Sequence, residues 1–125
     1  MSNVMITGGS RGIGAAAVRR FCAAGHRVWF LYEKQTAMAQ ALAEETGAIP
    51  IQADVSCKNQ VQAAFAQAGP VDILVCNAGI SMTGLMSMMP EEDWDRIFDV
   101  NVKGIYHCVN AVMPGFLAKQ SGSIV

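Results

Sequence analysis

Ile6–Thr7–Gly8–Gly9–Ser10–Arg11–Gly12–Ile13–Gly14 stands near the start of the chain, directly behind a short apolar run that opens at Val4. Within these few residues lie the end of a strand, a tight glycine turn and the beginning of a helix. Glycines let the backbone approach a ligand closely, and the unbonded N–H groups of a helix start attract an anion. The segment is therefore suited to a dinucleotide pyrophosphate.

Apolar runs and amphipathic stretches then alternate. Val4–Ile6, Arg27–Tyr32, Ile49–Gln52 and Ile73–Cys76 are predicted strands. A helix is predicted from Gly12 to Ala24, with Ile13, Ala17, Phe21 and Ala24 on its inner face, Arg19 and Arg20 outward and Gly25 as its stop. A second runs near Thr36–Thr46, where Met38, Ala41, Leu42 and Glu45 follow the helical period and Gly47 ends it. Ser56 is positioned to cap a third, whose Val61, Ala64, Phe65 and Ala68 share one face. Such a β-α-β-α-β-α-β succession predicts an α/β fold: a Rossmann-type, doubly wound parallel sheet with helices on both faces. Ser123–Ile124–Val125 reads as the start of a fifth strand, after which the domain is expected to be truncated.

Right-handed crossovers place a ligand crevice at the carboxyl ends of the strands. The loops Gly8–Gly12, Asp54–Ser56 and Asn77–Gly79 all follow predicted strands, as that geometry requires. Beyond Gly84, Pro90–Glu91–Glu92–Asp93 marks another helix start. Val102, Ile105, Tyr106, Val109, Val112, Met113 and Phe116 then form one apolar stripe on a long helix to about Lys119, with Pro114 as a kink.

Composition narrows the class of molecule. At 125 residues, 52% hydrophobic and 15% charged, residues 1–125 suffice for a single partial domain with a real core and not for a disordered chain. A net charge of −1 provides no footprint for nucleic acid or an anionic membrane. Without an apolar run of membrane-spanning length or a basic start, the expected location is cytoplasmic. Cys22, Cys57, Cys76 and Cys108 are scattered, with His26 and His107 alone to join them, so no metal site is expected and the cysteines read as small buried hydrophobes. Met82, Met86, Met88 and Met89 read as gap fillers, or alternatively as an adaptable apolar wall for an acyl substrate.

Thr7-Gly8-x-x-x-Gly12-x-Gly14 resembles the cofactor signature of the short-chain dehydrogenases/reductases. Cys76–Asn77–Ala78–Gly79 is similar to that family's Asn-Asn-Ala-Gly turn, with cysteine in the first place. Read from its residues alone, this is a turn in which Asn77 can bond the backbone. The resemblance implies a cofactor site made of Gly8, Ser10, Arg11, Gly12, Ile13 and Gly14 in the loop, Tyr32 at the end of the second strand, Asp54 and Val55 at the adenine, and Asn77, Ala78 and Gly79 beside them. Without it, Asp54 reads as a cap for the helix beginning near Lys58.

Asn101, within Asp99–Val100–Asn101–Val102, matches the asparagine of the family's catalytic tetrad, which kinks the long helix and positions a water. Arg11 favours NADP(H) over NAD(H), whereas Glu33, one place beyond Tyr32, would repel a phosphate if the alignment shifts by one. The family transfers hydride between nicotinamide and a carbonyl or alcohol carbon, using a serine and a Tyr-x-x-x-Lys pair. A phenol with a pKa of about 10 needs that lysine to carry protons at neutral pH.

Tyr32 and Tyr106 are followed four residues later by Thr36 and Asn110, so neither forms the pair. The chain is thus expected to be the N-terminal half of a reductase domain, inactive alone. It resembles most the 3-oxoacyl-[acyl-carrier-protein] reductase group. That implies a small carbonyl substrate, acyl-carrier-protein-linked, and a homo-oligomer for the full-length form. Two other readings are a non-catalytic nucleotide-binding or interaction module, and a nonfunctional fragment with the fourth strand's edge and one face of the long helix left bare.

Overall fold

Five parallel strands form one sheet: β1 (Asn3–Thr7), β2 (Arg27–Tyr32), β3 (Ile49–Gln52), β4 (Ile73–Val75) and β5 (Ser123–Ile124), in the order β3-β2-β1-β4-β5. This is seen in a computed structural model describing residues Met1–Val125. Val4 lies opposite both Val28 and Ile73, and Ile6 opposite Phe30 and Val75, so β1 is paired on both sides. Pro50 is accommodated because β3 is an outer strand. The helices are α1 (Gly12–Ala23), α2 (Thr36–Thr46), α3 (Lys58–Ala68), α4 (Glu91–Phe98) and α5 (Gly104–Lys119).

The twofold period of a strand divides the core in two. Val4, Ile6, Val28 and Phe30 meet Ala15 and Val18 of α1 and Ala39 and Leu42 of α2. Met5, Trp29, Leu31 and Leu74 face the other way, onto Val61, Ala64 and Phe65 of α3 and Cys108, Val112 and Phe116 of α5. Helices thus cover both faces, as the alternating pattern predicts. The inner face of α3 is the expected one, with Val61, Ala64, Phe65 and Ala68 all buried.

Three helical faces differ from expectation. In α1 the buried residues are Gly14, Ala15 and Val18, whereas Ile13 is 82% exposed and Ala24 is also at the surface. Gly14 seats the helix start against the β1 turn, and that rotates Ile13 onto the crevice rim. In α2 only Leu42 of the expected four is buried, joined by Ala39; Glu45 instead pairs with Arg19 of α1 at 2.6 Å. The long apolar stripe splits: Gly104, His107, Cys108, Val112 and Phe116 point inward, while Val102, Ile105 and Tyr106 are exposed, as are Trp94 and Phe98 of α4.

The split follows what covers the helix: Cys108, Val112 and Phe116 pack with α3 and the sheet, whereas Ile105 and Tyr106, in the first turn of α5 after a π-helical turn at Asp99–Lys103, are not covered. Helix α5 itself runs on through Pro114. Of the cysteines only Cys108 is buried, its thiol pushed up to about 12 by burial and the nearby Cys76, so it is a poor nucleophile. Met82, Met86 and Met88 are exposed and fill no gap. The edge of β4 is covered, since β5 pairs with it and Val125 continues the ladder at Leu74 and Cys76. No helix is long and apolar enough to cross a membrane.

Asp72 ties the opening of β1 to the end of α5. Its carboxylate accepts the Asn3 N–H at 2.8 Å and pairs with the Lys119 ammonium. The Asn3 amide, then Lys119, hold this carboxyl below its ordinary value. A depressed folded-state pKa gives stability that is full above the ordinary aspartate value of about 4 and lost as pH falls through the lower folded one. Melting temperature is therefore expected to fall as pH drops below about 4, and Asp72→Asn to flatten part of that fall. Parallel melting curves for the two proteins across this range would refute the assignment.

Candidate functional site

Strand order reverses between β1 and β4, and the loops leaving β1, β2, β3 and β4 surround a crevice of about 510 Å³ at the carboxyl ends of the strands. Gly8, Ser10, Arg11, Gly12 and Ile13 line one side, Tyr32, Glu33, Lys34 and Gln35 the second, and Asn77, Ala78, Gly79 and Ile80 the third. Ala53, Val55 and Val100 complete it.

The first backbone bond of α1 runs from the Ala15 N–H to the Arg11 carbonyl, and Arg11 provides no side-chain cap. The N–H groups of Gly12, Ile13 and Gly14 therefore have no helical acceptor, which leaves a positive helix end at the crevice. Gly12 has a φ of 58° and, with Ile13, lines the open crevice. Such a cradle fits an anionic pyrophosphate.

The β1 and β4 loops are locked together by Thr7 and Asn77. The Thr7 hydroxyl oxygen accepts the N–H groups of Asn77 at 3.0 Å and Ala78 at 2.9 Å. Asn77 Nδ2 in turn donates to the Gly8 carbonyl at 3.0 Å. Asn101, in the π-helical turn, grips the next residue along: its Oδ1 accepts the Ile80 N–H and its Nδ2 donates to the Ile80 carbonyl, both at 2.8 Å. A widened turn presents a polar side chain sideways out of a helix, and here it fixes the far wall of the crevice. His107 of α5 supports the floor, Nδ1 donating to the Val55 carbonyl at 2.7 Å.

Of the residues singled out from sequence, Gly8, Ser10, Arg11, Gly12, Ile13, Tyr32, Val55, Asn77, Ala78 and Gly79 line one crevice. Gly14 lies beneath it, where a Cβ would stand 2.0 Å from the Gly8 carbonyl oxygen. Asn101 acts on the crevice through Ile80. Asp54 is placed differently, in a neighbouring hollow with Gln52, Gln60 and Gln67. Its Oδ1 accepts from the Ser56 amide at 2.9 Å and hydroxyl at 2.7 Å, and its Oδ2 from Arg96 at 3.2 Å. Burial raises this carboxyl, but the Ser56 hydrogen bonds and the Arg96 guanidinium outweigh it and hold it below the ordinary range. Ser56, bonded to Asp54, does not cap α3; Cys57 occupies that position, without a side-chain bond.

Sequence reasoning passed over Thr7 as an acceptor, His107 as a support and Arg96 altogether. Thr7 sits inside the signature itself, but nothing in a linear motif reveals which amides its hydroxyl meets 70 residues away.

A parallel sheet in this order, with a glycine loop and an Asn-Ala-Gly turn joined at its switch point, defines a Rossmann-type α/β domain. The chain belongs to the short-chain dehydrogenase family, whose model matches residues 2–125. That is an oxidoreductase family using NAD(P)(H). The chain is 35% identical to the 3-oxoacyl-[acyl-carrier-protein] reductase FabG of Staphylococcus epidermidis, over 98% of this chain and 54% of that protein. It is 36% identical to the acetoacetyl-CoA reductase of Rhizobium meliloti, over 100% of this chain and 54% of that one. The chain thus spans about half the length of the curated relatives it matches. Among solved structures, the crystal structure of BdcA in complex with NADPH superposes with a TM-score of 0.84 at 42% identity, covering 88% of this chain and 46% of that one.

Proposed function

We propose that this chain forms the nucleotide-binding half of an NADP(H)-dependent carbonyl reductase acting on 3-oxoacyl thioesters. The observation that carries the reading is the crevice in which three unpaired helix-start amides face a wall fixed by Asn77 and Asn101. Gly12, Ile13 and Gly14 would hold the pyrophosphate through their N–H groups, and Arg11 a 2′-phosphate. Val55 would meet the adenine beside Tyr32, while Asp54 acts from behind, as the fixed end of the β3 loop. Ala78, Gly79 and Ile80 would wall the path toward the nicotinamide, and Asn101 would keep that wall in place.

The cofactor, when bound, supplies a hydride to a carbonyl carbon. The substrate class is supported by the names of the two relatives, 3-oxoacyl-[acyl-carrier-protein] reductase and acetoacetyl-CoA reductase, both of which denote 3-oxo thioesters. NADP(H) is supported by Arg11 at the crevice and by the NADPH bound to a 42% identical protein. The exposed Trp94, Phe98, Val102, Ile105 and Tyr106 support pairing with a second copy in the whole protein. The 125 residues contain no Tyr-x-x-x-Lys, so on their own they are expected to bind without turnover.

Titrating NADPH into the purified chain and following nicotinamide fluorescence tests this. Saturable binding, with no loss of NADPH absorbance when an acetoacetyl thioester is added, is the expected result. Oxidation of NADPH by the chain would overturn the absence of turnover; a folded chain that never binds would overturn the nucleotide reading. Fusing the C-terminal half of the Staphylococcus epidermidis reductase after Val125 is expected to confer NADPH oxidation with acetoacetyl thioesters, and a folded, inactive fusion would count against the substrate class.

A further inference from the structure

Two carboxylates stand at the adenosine end of the crevice, and either would repel a phosphate. Glu33 lines the crevice just beyond β2, and Asp54 lies behind it at the end of β3. One cation from a distant element reaches both. Arg96, in the last turn of α4, donates from Nη2 to Glu33 Oε1 at 3.0 Å, and from Nη1 to Asp54 Oδ2 at 3.2 Å and Ser56 Oγ at 2.8 Å. All three charged side chains are about one-quarter to one-third exposed, the range in which a charge is still felt across a few ångströms of protein but is not buried. The planar fork suits this bridging role, since two donors on one guanidinium can each engage a carboxylate.

We propose that Arg96 is a positioning residue for cofactor choice: shared between Glu33 and Asp54, it offsets part of the repulsion Glu33 would exert, and so opens the crevice to a ribose carrying a 2′-phosphate. The inference rests on the nucleotide reading above. With Arg96 in place, the three cations Arg11, Lys34 and Arg96 outnumber the carboxylates Glu33 and Asp54 by one, and the rim is net attractive to a dianion; without it the charges only balance. Without it, Glu33 faces the crevice as a bare carboxylate one residue beyond Tyr32, able to accept from a ribose diol and to repel a phosphate. Arg96 thereby makes an acidic β2 loop compatible with NADPH. It also holds Glu33 by its carboxylate while Gln52 Nε2 holds the Glu33 carbonyl at 2.9 Å, so the loop is fixed at both ends of the residue.

The experiment measures dissociation constants for NADPH and NADH with the chain and its variants at low and high salt, each variant first shown folded by its circular dichroism. Arg96→Gln is expected to weaken NADPH on the order of tenfold while NADH changes less than about threefold. Arg96→Gln combined with Glu33→Gln is expected to recover most of the NADPH affinity. Glu33→Gln alone, which leaves Arg96 on Asp54 and Ser56, is expected to tighten NADPH selectively, and it keeps the test decisive should Arg96→Gln fail to fold. The wild-type preference for NADPH should shrink as salt rises.

Equal weakening of both dinucleotides by Arg96→Gln, or no rescue by the second substitution, would mean that Arg96 merely ties α4 to the sheet, and the inference fails. A Glu33→Gln variant with the wild-type ratio overturns it as well. If the folded wild-type chain binds neither dinucleotide, it is the nucleotide reading itself that falls.

Discussion

Gly14→Ala is expected to destabilise the fold by about 3 kcal/mol and to abolish nucleotide binding. An added Cβ would lie 2.0 Å from the Gly8 carbonyl oxygen and 2.6 Å from Asn77 Nδ2. Both neighbours are held: Asn77 Nδ2 is bonded to that same carbonyl, and the Gly8 backbone is the β1 turn itself. Relief requires the start of α1 to move away from the sheet, which would misplace its free amides. Two other glycines calibrate the result. Gly12→Ala meets nothing within 4 Å and suffers the strain of a positive φ alone, about 1 kcal/mol. Gly115→Ala lies in α5 with open space around it and is expected to be neutral or to stabilise by roughly 0.5 kcal/mol. Thermal melts of the three variants would show the order; a Gly14→Ala protein melting with Gly115→Ala would sink the close-approach argument.

Thr7→Val should cost roughly 2 kcal/mol, although it changes the shape of the side chain very little. Thr7 is 2% exposed, and its hydroxyl oxygen is the acceptor for two backbone N–H groups. Valine leaves both donors unpaired in a partly buried turn, and an unmade bond there is worth more than the net value of a made one. Thr7→Ser keeps the oxygen and should retain most of the stability. The sharper readout is hydrogen exchange at Asn77 and Ala78, which should accelerate in Thr7→Val and not in Thr7→Ser. Unchanged exchange in the valine variant would mean that the β4 loop is held by other means.

The elements legible in the sequence were those set by local chemistry. Strands β2 and β3 fall at the residues expected, because each is a short apolar or β-prone run followed by polar residues. Gly47 ends α2 in a left-handed conformation, as a glycine after the last helical turn should. The glycine loop and Asn77–Gly79 converge on one crevice because the fold rule for strand ends is general.

What was illegible depends on contacts remote in sequence. Ile13 has the hydrophobicity of a core residue, yet the seating of Gly14 turns it outward. The stripe on α5 looked continuous because periodicity gives a helix face but not how far along the helix that face is covered: α3 and the sheet bury Cys108, Val112 and Phe116 and leave Ile105 and Tyr106 exposed. Asp54 looked free to meet a ligand, since no linear pattern announces that Arg96, 42 residues away, will claim its second oxygen.

The double pairing of β1 has a consequence for the order in which the molecule can assemble. Its bonds to β2 join segments about one helix apart in sequence, but its bonds to β4 close a loop of nearly 70 residues, as the Asn3–Asp72 bond does. Local βα pieces can condense early, whereas that closure must wait until most of the chain is available. The crevice depends on the residues that meet at this seam, Thr7 and Gly8 with Asn77 and Ala78. No folding intermediate lacking β4 can possess the crevice, and its formation is therefore a marker that the β1–β4 seam has closed.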